Sequence, residues 1–425
     1  MKNILHIAAH IGGGAGKAIS GIIKNTGCFR NTVVLLEEPV DRKYCDVCRE
    51  EGANIIVAPS YEEILRITEN ADVVIFNWWS HPLTVDLVRK LDSILTRLVI
   101  WTHINGLQYP NLPFDFLYAF DAAMFTSPCS LKNVMFSEIQ REQLQTKSAF
   151  VYGTGDFRPA EYLFKTDYEA NEKIRIGYVG TLDFAKMNSE FPKICSSVKK
   201  RIPSVEFVLC GKYTEDFKAD FFAGYSELQE CVSFAGFVTE PEKYLLSFDI
   251  FCYPLAADNY ATTENALLEA MAAGLPVIVL DNPAEKEIID NENTGIVASG
   301  IEEFIEKTVL LCINAEKRKA LGTAARQAVI SKYDAEVNAV TFIKCVKNVL
   351  KNDKHRHDIS SVIGNDIWEN FLYFCGNERT NIMRLMNGEN VRLPEIFYSD
   401  SKSSLRQYLN YYDNEYIRKL TERLF

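Results

Sequence analysis

The sequence predicts an α/β protein built from two doubly wound parallel sheets, followed by a helical C-terminal extension. Three observations carry this. Short, β-rich apolar runs alternate with helical patterns through two successive series. The 425-residue length fits two or three domains at about 150 residues each. The composition, 47% hydrophobic and 24% charged, is that of a globular chain and excludes a disordered or fibrous one.

The first series runs Asn3–Ala8, Thr32–Leu36, Asn54–Ala58, Val73–Phe76, Leu98–Thr102 and Ala122–Ser127. Between the first two runs lie Gly12–Gly16 and a helical pattern carrying Ile19, Ile22 and Ile23. Phe157–Lys173 holds Pro159, turns polar from Lys165, lacks periodicity and reads as an interdomain linker. The second series is Ile174–Val179, Val205–Cys210, Val232–Phe234, Ile250–Tyr253, Val277–Leu280 and a last turn at Gly295–Val297. Gly274 and Pro276 stop a helix that begins near Glu264. Ser299 with Glu302 reads as a capping box for the helix bearing Phe304, Ile305, Val309 and Cys312. The charged connector Lys351–Asp358 places His355 and His357 in solvent. Beyond it, Ile359–Phe425 reads as helical over Ile367–Phe374 and Leu405–Leu424, with too many aromatics for a free tail. The chain divides into a first doubly wound domain over 1–165, a second over 166–345, and a crossing helix with an appended helical segment over 346–425.

Lys and Arg number 46 against 57 Asp and Glu, a net charge of −11, so the basic footprint of a nucleic-acid binder is missing. No run of about 18 apolar residues appears, and no transmembrane helix is expected. Met1–Lys17 breaks at His10 and a glycine run, and reads as a first strand rather than a signal peptide. The 11 cysteines are odd in number and several lie in apolar runs, which points to buried thiols in a reducing compartment. The one Cys-x-x-Cys, Cys45 and Cys48, lacks the further ligands that zinc needs.

Three constellations bear chemistry. Gly12-Gly13-Gly14-Ala15-Gly16-Lys17 fails both the P-loop and the dinucleotide fingerprint, which excludes a P-loop kinase. What survives is a glycine turn opening a helix. A tight β–α turn needs fewer glycines, so close approach of a ligand to backbone N–H groups is favoured. Gly180-Thr181-Leu182-Asp183-Phe184-Ala185-Lys186 follows the first strand of the second domain and puts a Lys where an anion would lie, although a lone Lys is commonly a solvated charge. The strongest segment is Tyr260–Pro276 after the strand Ile250–Tyr253. Thr262 or Thr263 is expected to cap its helix, and the first-turn N–H groups would meet a phosphate. Glu269 sits among Leu267, Leu268, Ala270 and Met271, where a carboxylate without partners is costly. Two vicinal ribose hydroxyls would satisfy it.

Over roughly Met1–Lys351 the chain resembles the GT-B glycosyltransferases of the large retaining family 4, which act in bacterial glycan and polysaccharide biosynthesis. That family carries Gly-Arg-Leu…Lys-Gly and then Glu-x7-Glu-Ala-x-Ala-x-Gly-x-Pro-Val. The matching residues here are Val179–Lys186, Phe234–Val238, Phe248–Pro254 and Thr262–Val279, with the glycine loop, Thr102-His103 and Tyr152–Asp156 in the first domain. Two positions depart. Thr181 replaces the usual Arg, and Ala261 stands where the first Glu of Glu-x7-Glu belongs, so that either Glu264 supplies a displaced carboxylate or Thr262, Thr263 and Asn265 supply the donor contacts.

The resemblance implies two Rossmann-like domains facing across a cleft, 1–165 for the acceptor and 166–345 for the donor. It implies a retaining hexosyl-type transfer from a nucleotide-sugar, UDP-sugar favoured over GDP-sugar, to a hydroxyl on a glycan, lipid-linked or protein-bound acceptor. No cofactor and no metal are expected, because Asp-x-Asp is absent. His103, Lys186 and Glu264 take the catalytic places. Lys186, Gly13 and Gly14 with Gly12, and the helix start Thr263, Asn265 and Ala266 would steady the departing diphosphate. Gly180, Thr181 and Thr262 would line the donor, Glu269 would hold the ribose, and Phe237 and Val238 would meet the base. His6 is expected in the core, and His10 and His81 near strand exits.

Trp78, Trp79, Trp101 and Tyr109 lie near strand ends in the nearly neutral stretch 1–165, which has 16 basic and 18 acidic residues. They suit peripheral contact of that domain with the inner face of a membrane, or else a sugar cleft or the core. A cytoplasmic enzyme is expected. A GT-B-shaped nucleotide-sugar 2-epimerase and a non-catalytic sugar- or partner-binding module remain alternatives.

Overall fold

The computed structural model describes residues 1–168, 173–257, 259, 261–398 and 403–424. The first sheet holds β1 (Asn3–Ala8), β2 (Arg30–Leu35), β3 (Asn54–Val57), β4 (Val73–Trp78), β5 (Leu98–Thr102), β6 (Ala122–Phe125) and β7 (Ser148–Phe150). All are parallel, in the order β3-β2-β1-β4-β5-β6-β7. The second holds β8 (Arg175–Val179), β9 (Glu206–Cys210), β10 (Val232–Gly236), β11 (Ile250–Tyr253), β12 (Val277–Leu280) and β13 (Ile296–Ala298). It is parallel in the order β10-β9-β8-β11-β12-β13. The near-continuous apolar runs of the sequence become strands buried on both faces, Ile4, Leu5, Ile7 and Ala8 among them. The edge strand β7 has three residues, too few for a pattern in the sequence.

Each sheet reverses its winding once, between β1 and β4 and between β8 and β11. In open α/β sheets, ligands bind beyond the carboxyl ends of the strands at such a switch point.

The described residues form two compact units. Met1–Asp156 joins Asn338–Phe425, and Phe157–Val337 forms the other. The helix Ala335–Val349 sends Phe342, Cys345, Val346 and Val349 into the core of the first sheet. The aromatics beyond it build a second core, in which Phe371, Phe397, Tyr408, Ile417 and Leu420 surround Tyr109.

Several local expectations change. The described part of Phe157–Lys173 is anchored on the second unit: Lys165 pairs with Asp249 at 2.8 Å, and the Tyr168 hydroxyl donates to the Gly274 carbonyl at 2.7 Å. Its polar residues reach buried partners instead of solvent. Residues 169–172 lie outside the described residues. Leu405–Leu424 is two helices, Leu405–Tyr411 and Glu415–Leu424, because Asn414 accepts the Ile417 N–H and starts the second. Ser299 donates to Glu303, not Glu302, since the helix begins at Ile301, after Gly300. His357 is buried rather than solvated. No helix is long and apolar enough to cross a membrane among the described residues. All 11 cysteines are free and only Cys28 is exposed.

Candidate functional site

At the carboxyl edge of the second sheet, three loops converge. Lys186 follows β8, Glu264 follows β11, and Glu285 follows β12. Lys186 Nζ lies 3.1 Å from Glu264 Oε2. The Tyr253 hydroxyl, on the last residue of β11, donates to the same oxygen at 2.6 Å. Burial, reinforced by the Glu264 charge, raises the Tyr253 pKa, so the phenol stays a proton donor. Glu285 is fully buried and accepts from Asn282 Nδ2 at 3.0 Å. Burial first, aided by the Glu264 charge, pushes its carboxyl up to about 7, against the opposing Asn282 hydrogen bond and a weaker pull from Lys186. The ammonium thus pairs with Glu264, and the neighbouring Glu285 carboxyl holds its proton to higher pH than an ordinary glutamate.

The helix beside this cluster runs Asn265–Ala272. The N-cap position falls on Glu264 rather than on Thr262 or Thr263. The Glu264 side chain makes no capping bond, being turned instead to Lys186 and Tyr253. Asn265 and Ala266 therefore open the first turn, whose N–H groups lack intrahelical partners. Glu269 is half-buried on this helix between buried Leu268 and Ala270. Its charge contributes, after burial, to raising the Tyr162 phenol, which places it near that ring. Thr181 is exposed, and its carbonyl accepts the Tyr178 hydroxyl at 3.1 Å. A Cβ on Gly211, where β9 exits, would lie 1.8 Å from the Gly180 carbonyl oxygen, so the two exit turns need that glycine. Phe237, just past β10, is 67% exposed, with Lys212 Nζ 5.3 Å from its ring centroid and Val238 half-buried next to it. Tyr260 lies outside the described residues.

The carboxyl edge of the first sheet is built differently. The helix Gly13–Asn25 starts directly after the β1 exit. Gly13 adopts φ +55°, whereas a Cβ on Gly16 would lie 2.2 Å from the Ile11 carbonyl oxygen. Gly14 has open space around its missing Cβ. Neither conformation nor packing requires glycine there.

His103 follows β5, and its Nε2 lies 3.1 Å from Asn77 Oδ1. Its ring rests 4.8 Å from Trp101 and 6.1 Å from Trp79. His10, Glu37 and His81 leave β1, β2 and β4. His10 Nδ1 accepts the Gly12 N–H and His81 Nδ1 accepts the Leu83 N–H. In the neutral rings Nε2 then carries the hydrogen, and both Nε2 atoms face Glu37 Oε1, at 4.0 and 3.6 Å. Tyr411, from the C-terminal helices, donates its hydroxyl to Glu37 Oε2. His10, His81 and Tyr411 thus converge on Glu37, with the lone pairs of the two rings directed at backbone N–H groups rather than at a common point. His6 is fully buried, and burial pushes it down to about 4, so it is a neutral core residue.

The aromatic membrane belt is overturned. Trp78, Trp79 and Trp101 are at most 1% exposed and Tyr109 is 4% exposed. Trp78 packs on Phe116 and Phe374, and the Trp101 Nε1–H donates to the Val151 carbonyl at 3.0 Å. They fill the core because the C-terminal segment covers them.

Sequence reasoning missed Tyr253, Asn282 and Glu285. Tyr253 ends an apolar strand and reads as core, and Asn282 and Glu285 lie in a polar turn with no spacing signal. It also missed Glu37 and Tyr411, which are 374 positions apart.

Residues 173–314, which contain Lys186, Glu264, Glu269 and Glu285, match the family described as glycosyl transferases group 1. The amylovoran biosynthesis glycosyltransferase AmsK of Erwinia amylovora is 28% identical over 145 residues, 33% of this chain and 36% of that protein. Glycosyltransferase 1 domain-containing protein 1 of Xenopus tropicalis is 30% identical over 87 residues, 20% of this chain and 25% of that protein. The chain thus aligns with only a quarter to about a third of these relatives. Among solved structures, Anabaena HepE in complex with UDP superposes with a TM-score of 0.65 at 13% identity, covering 82% of this chain and 100% of that one. A glycosyltransferase from Rickettsia africae gives 0.65 at 14% identity, covering 83% and 99%. The lipopolysaccharide outer core galactosyltransferase WaaB gives 0.63 at 14%, covering 82% and 99%. The fold is that of GT-B glycosyltransferases, two Rossmann-like parallel-sheet domains, here with a helical C-terminal region.

Proposed function

We propose that this chain is a retaining glycosyltransferase of the family 4 type, moving a hexosyl group from a nucleotide-sugar to a hydroxyl of a growing glycan. The observation that carries the reading is the Lys186–Glu264–Tyr253 cluster at the β8/β11 switch point, beside the start of the helix Asn265–Ala272 and inside the group 1 match. A phosphate entering there would meet an ammonium and first-turn N–H groups together. HepE has been solved with UDP and glucose, which supports a UDP-sugar donor here. The name of AmsK, a protein of amylovoran biosynthesis, supports a polysaccharide acceptor.

In this reading the acceptor hydroxyl attacks on the face from which the nucleoside diphosphate departs, and the leaving phosphate takes the proton. Rate enhancement then comes from positioning and from stabilising the departing charge. Lys186, held by Glu264 before donor arrives, exchanges that carboxylate for the diphosphate. Glu264 is freed toward a sugar hydroxyl, and Glu269 accepts the ribose hydroxyls. Phe237 and Val238 flank the base. In the first unit, Gly13 and Gly14 offer backbone N–H groups to the diphosphate, and His103 takes its catalytic place beside the transferred sugar. The sequence offers no Asp-x-Asp, so Mg²⁺ or Mn²⁺ is not required in this reading. Buried free thiols accord with a cytoplasmic location.

The test is a thermal-shift series with UDP, GDP and their sugars, followed by chromatography of donor incubated with and without oligosaccharide acceptors. UDP and its sugars should raise Tm, since ligands of the folded state stabilise it. Free UDP should then accumulate with product, and chelating free Mg²⁺ and Mn²⁺ should leave the initial rate unchanged. Binding without turnover would favour the non-catalytic module. A sugar altered at C2 with displaced UDP would favour the epimerase. No nucleotide effect at all would overturn the reading.

A further inference from the structure

The connector after the helix Ala335–Val349 crosses the first sheet at the edge where its strands begin. His355 exchanges backbone hydrogen bonds with Thr96, at 2.9 and 3.1 Å, two residues before β5. His357 is buried near Asp121, the residue before β6.

The ring contacts fix where the hydrogen sits. His357 Nδ1 lies 3.1 Å from the Ala119 carbonyl oxygen, which only accepts, so Nδ1 carries the hydrogen. Nε2 then presents a lone pair and has no hydrogen-bond partner among the described residues. It lies 3.6 Å from Asp121 Oδ2, and His355 Nδ1 lies 3.8 Å from Asp121 Oδ1. All three groups offer atoms within 4.8 Å of one another. These separations are too long for hydrogen bonds, which run about 2.7–3.2 Å. They approach the roughly 3.3–3.5 Å that two donors keep around a tetrahedral ion bound at about 2.0–2.2 Å. The lone pair on His357 Nε2 and the Asp121 carboxylate repel each other unless a positive charge lies between them.

We propose that Asp121, His355 and His357 bind one divalent transition-metal ion of the zinc class, pinning the C-terminal connector to the first sheet. Imidazole and carboxylate donors suit that class. The outer contacts are those a metal site needs. The Ala119 carbonyl orients His357, and the Leu98 N–H donates to Asp121 Oδ2 at 2.7 Å. The fourth position is left to solvent on the side of His355, whose side chain is 52% exposed. The site lies at the opposite ends of the strands from Gly13, Gly14 and His103, so its role is structural. In His10 and His81 the corresponding lone pairs are spent on backbone N–H groups, which is why this cluster and not that one takes the ion.

The test uses the full chain, stripped by chelator and dialysed, then titrated with Co²⁺ and followed by visible absorption. One equivalent should produce the ligand-field bands of a tetrahedral nitrogen–oxygen site, and Zn²⁺ should bleach them. His355→Ala, at an exposed position, should weaken Co²⁺ binding at least tenfold with an unchanged circular dichroism spectrum, while His10→Ala should not affect it. Zn²⁺ should raise the Tm of the wild type and not that of His355→Ala. Absence of the bands in folded protein, or equal titrations of wild type and His355→Ala, overturns the site. So does ¹⁵N NMR showing both His357 nitrogens protonated in the presence of Zn²⁺, which would make the occupant a proton.

Discussion

The carboxyl edges of the two sheets share a topology and differ in chemistry. At the β1/β4 switch point the polar groups are imidazoles, His10 and His81 on Glu37, with His103 on Asn77, framed by buried tryptophans. At the β8/β11 switch point they are formal charges, with Lys186 on Glu264 and buried Glu285 beside them. In the proposed reading, the imidazoles of the first edge serve a ligand made of hydroxyl groups, and the ammonium and helix start of the second serve a diphosphate. The difference teaches that one fold, used twice in a chain, takes its ligand preference from the few residues just past the strands.

The comparison breaks most directly at Lys186. If the second edge stabilises a leaving diphosphate, Lys186→Ala should lower kcat by roughly 100- to 1000-fold, the range for losing one preorganised donor at a developing charge. KM for donor should change much less. Steady-state kinetics check this, and wild-type rates in the mutant would make the two edges alike in lacking a charge role.

A buried carboxyl under electrostatic stress occurs at the second edge and supplies a stability test. The folded-state pKa of Glu285 is raised from an ordinary 4.5 to about 7. The folded chain therefore binds more protons than the unfolded chain between those values, and this group's contribution to stability falls as pH rises through that window. Glu285→Gln removes the effect. At pH 8 the variant should be more stable than wild type by on the order of 3 kcal/mol, and near pH 4.5 the difference should shrink toward zero. Urea denaturation at both pH values measures it. A gap that is the same at both would show that Glu285 is not titrating.

Glu269→Gln sharpens the assignment of the nucleotide to the second unit. Loss of a charged acceptor of hydroxyl hydrogen bonds should cost about 1.5–3 kcal/mol of UDP affinity, with the fold intact. Calorimetric titration reads this directly, and unchanged affinity in an unfolded or destabilised variant would make Glu269 structural.

His103→Ala should have the smallest effect and the opposite signature. UDP affinity should stay as in wild type, while transfer falls roughly fivefold to tenfold, the loss of about one neutral hydrogen bond to a bound sugar. Weakened UDP binding in this variant would erase the division of labour between the edges.

Most strands were legible because a strand buried on both faces must be written as a short apolar run; Asn3–Ala8, Leu98–Thr102, Ile250–Tyr253 and Val277–Leu280 form with the bounds their sequence suggests. Lys186, Glu264 and Glu269 were visible as charged residues at fixed offsets from a strand or within an apolar helix. Glu285 and Asn282 were not, because a polar turn looks the same whether it faces water or a carboxylate.

What the sequence determined by itself was thus the repeated βα alternation, the glycine turn at Gly12–Gly14 and the charged positions after β8 and β11. All of these are local, set by backbone periodicity and by residues within one or two turns of each other. What the tertiary structure decided is who meets whom: Lys186 with Glu264, Tyr411 with Glu37, His357 with Asp121, and the tryptophans with the C-terminal helices rather than a membrane. Those pairs are separated by 78, 374, 236 and 296 positions, counted from Trp78 to Phe374 for the last. No local pattern encodes a contact over such a span. It arises only when burial of the apolar faces fixes the path of the whole chain, and the polar groups carried along must find partners or remain costly.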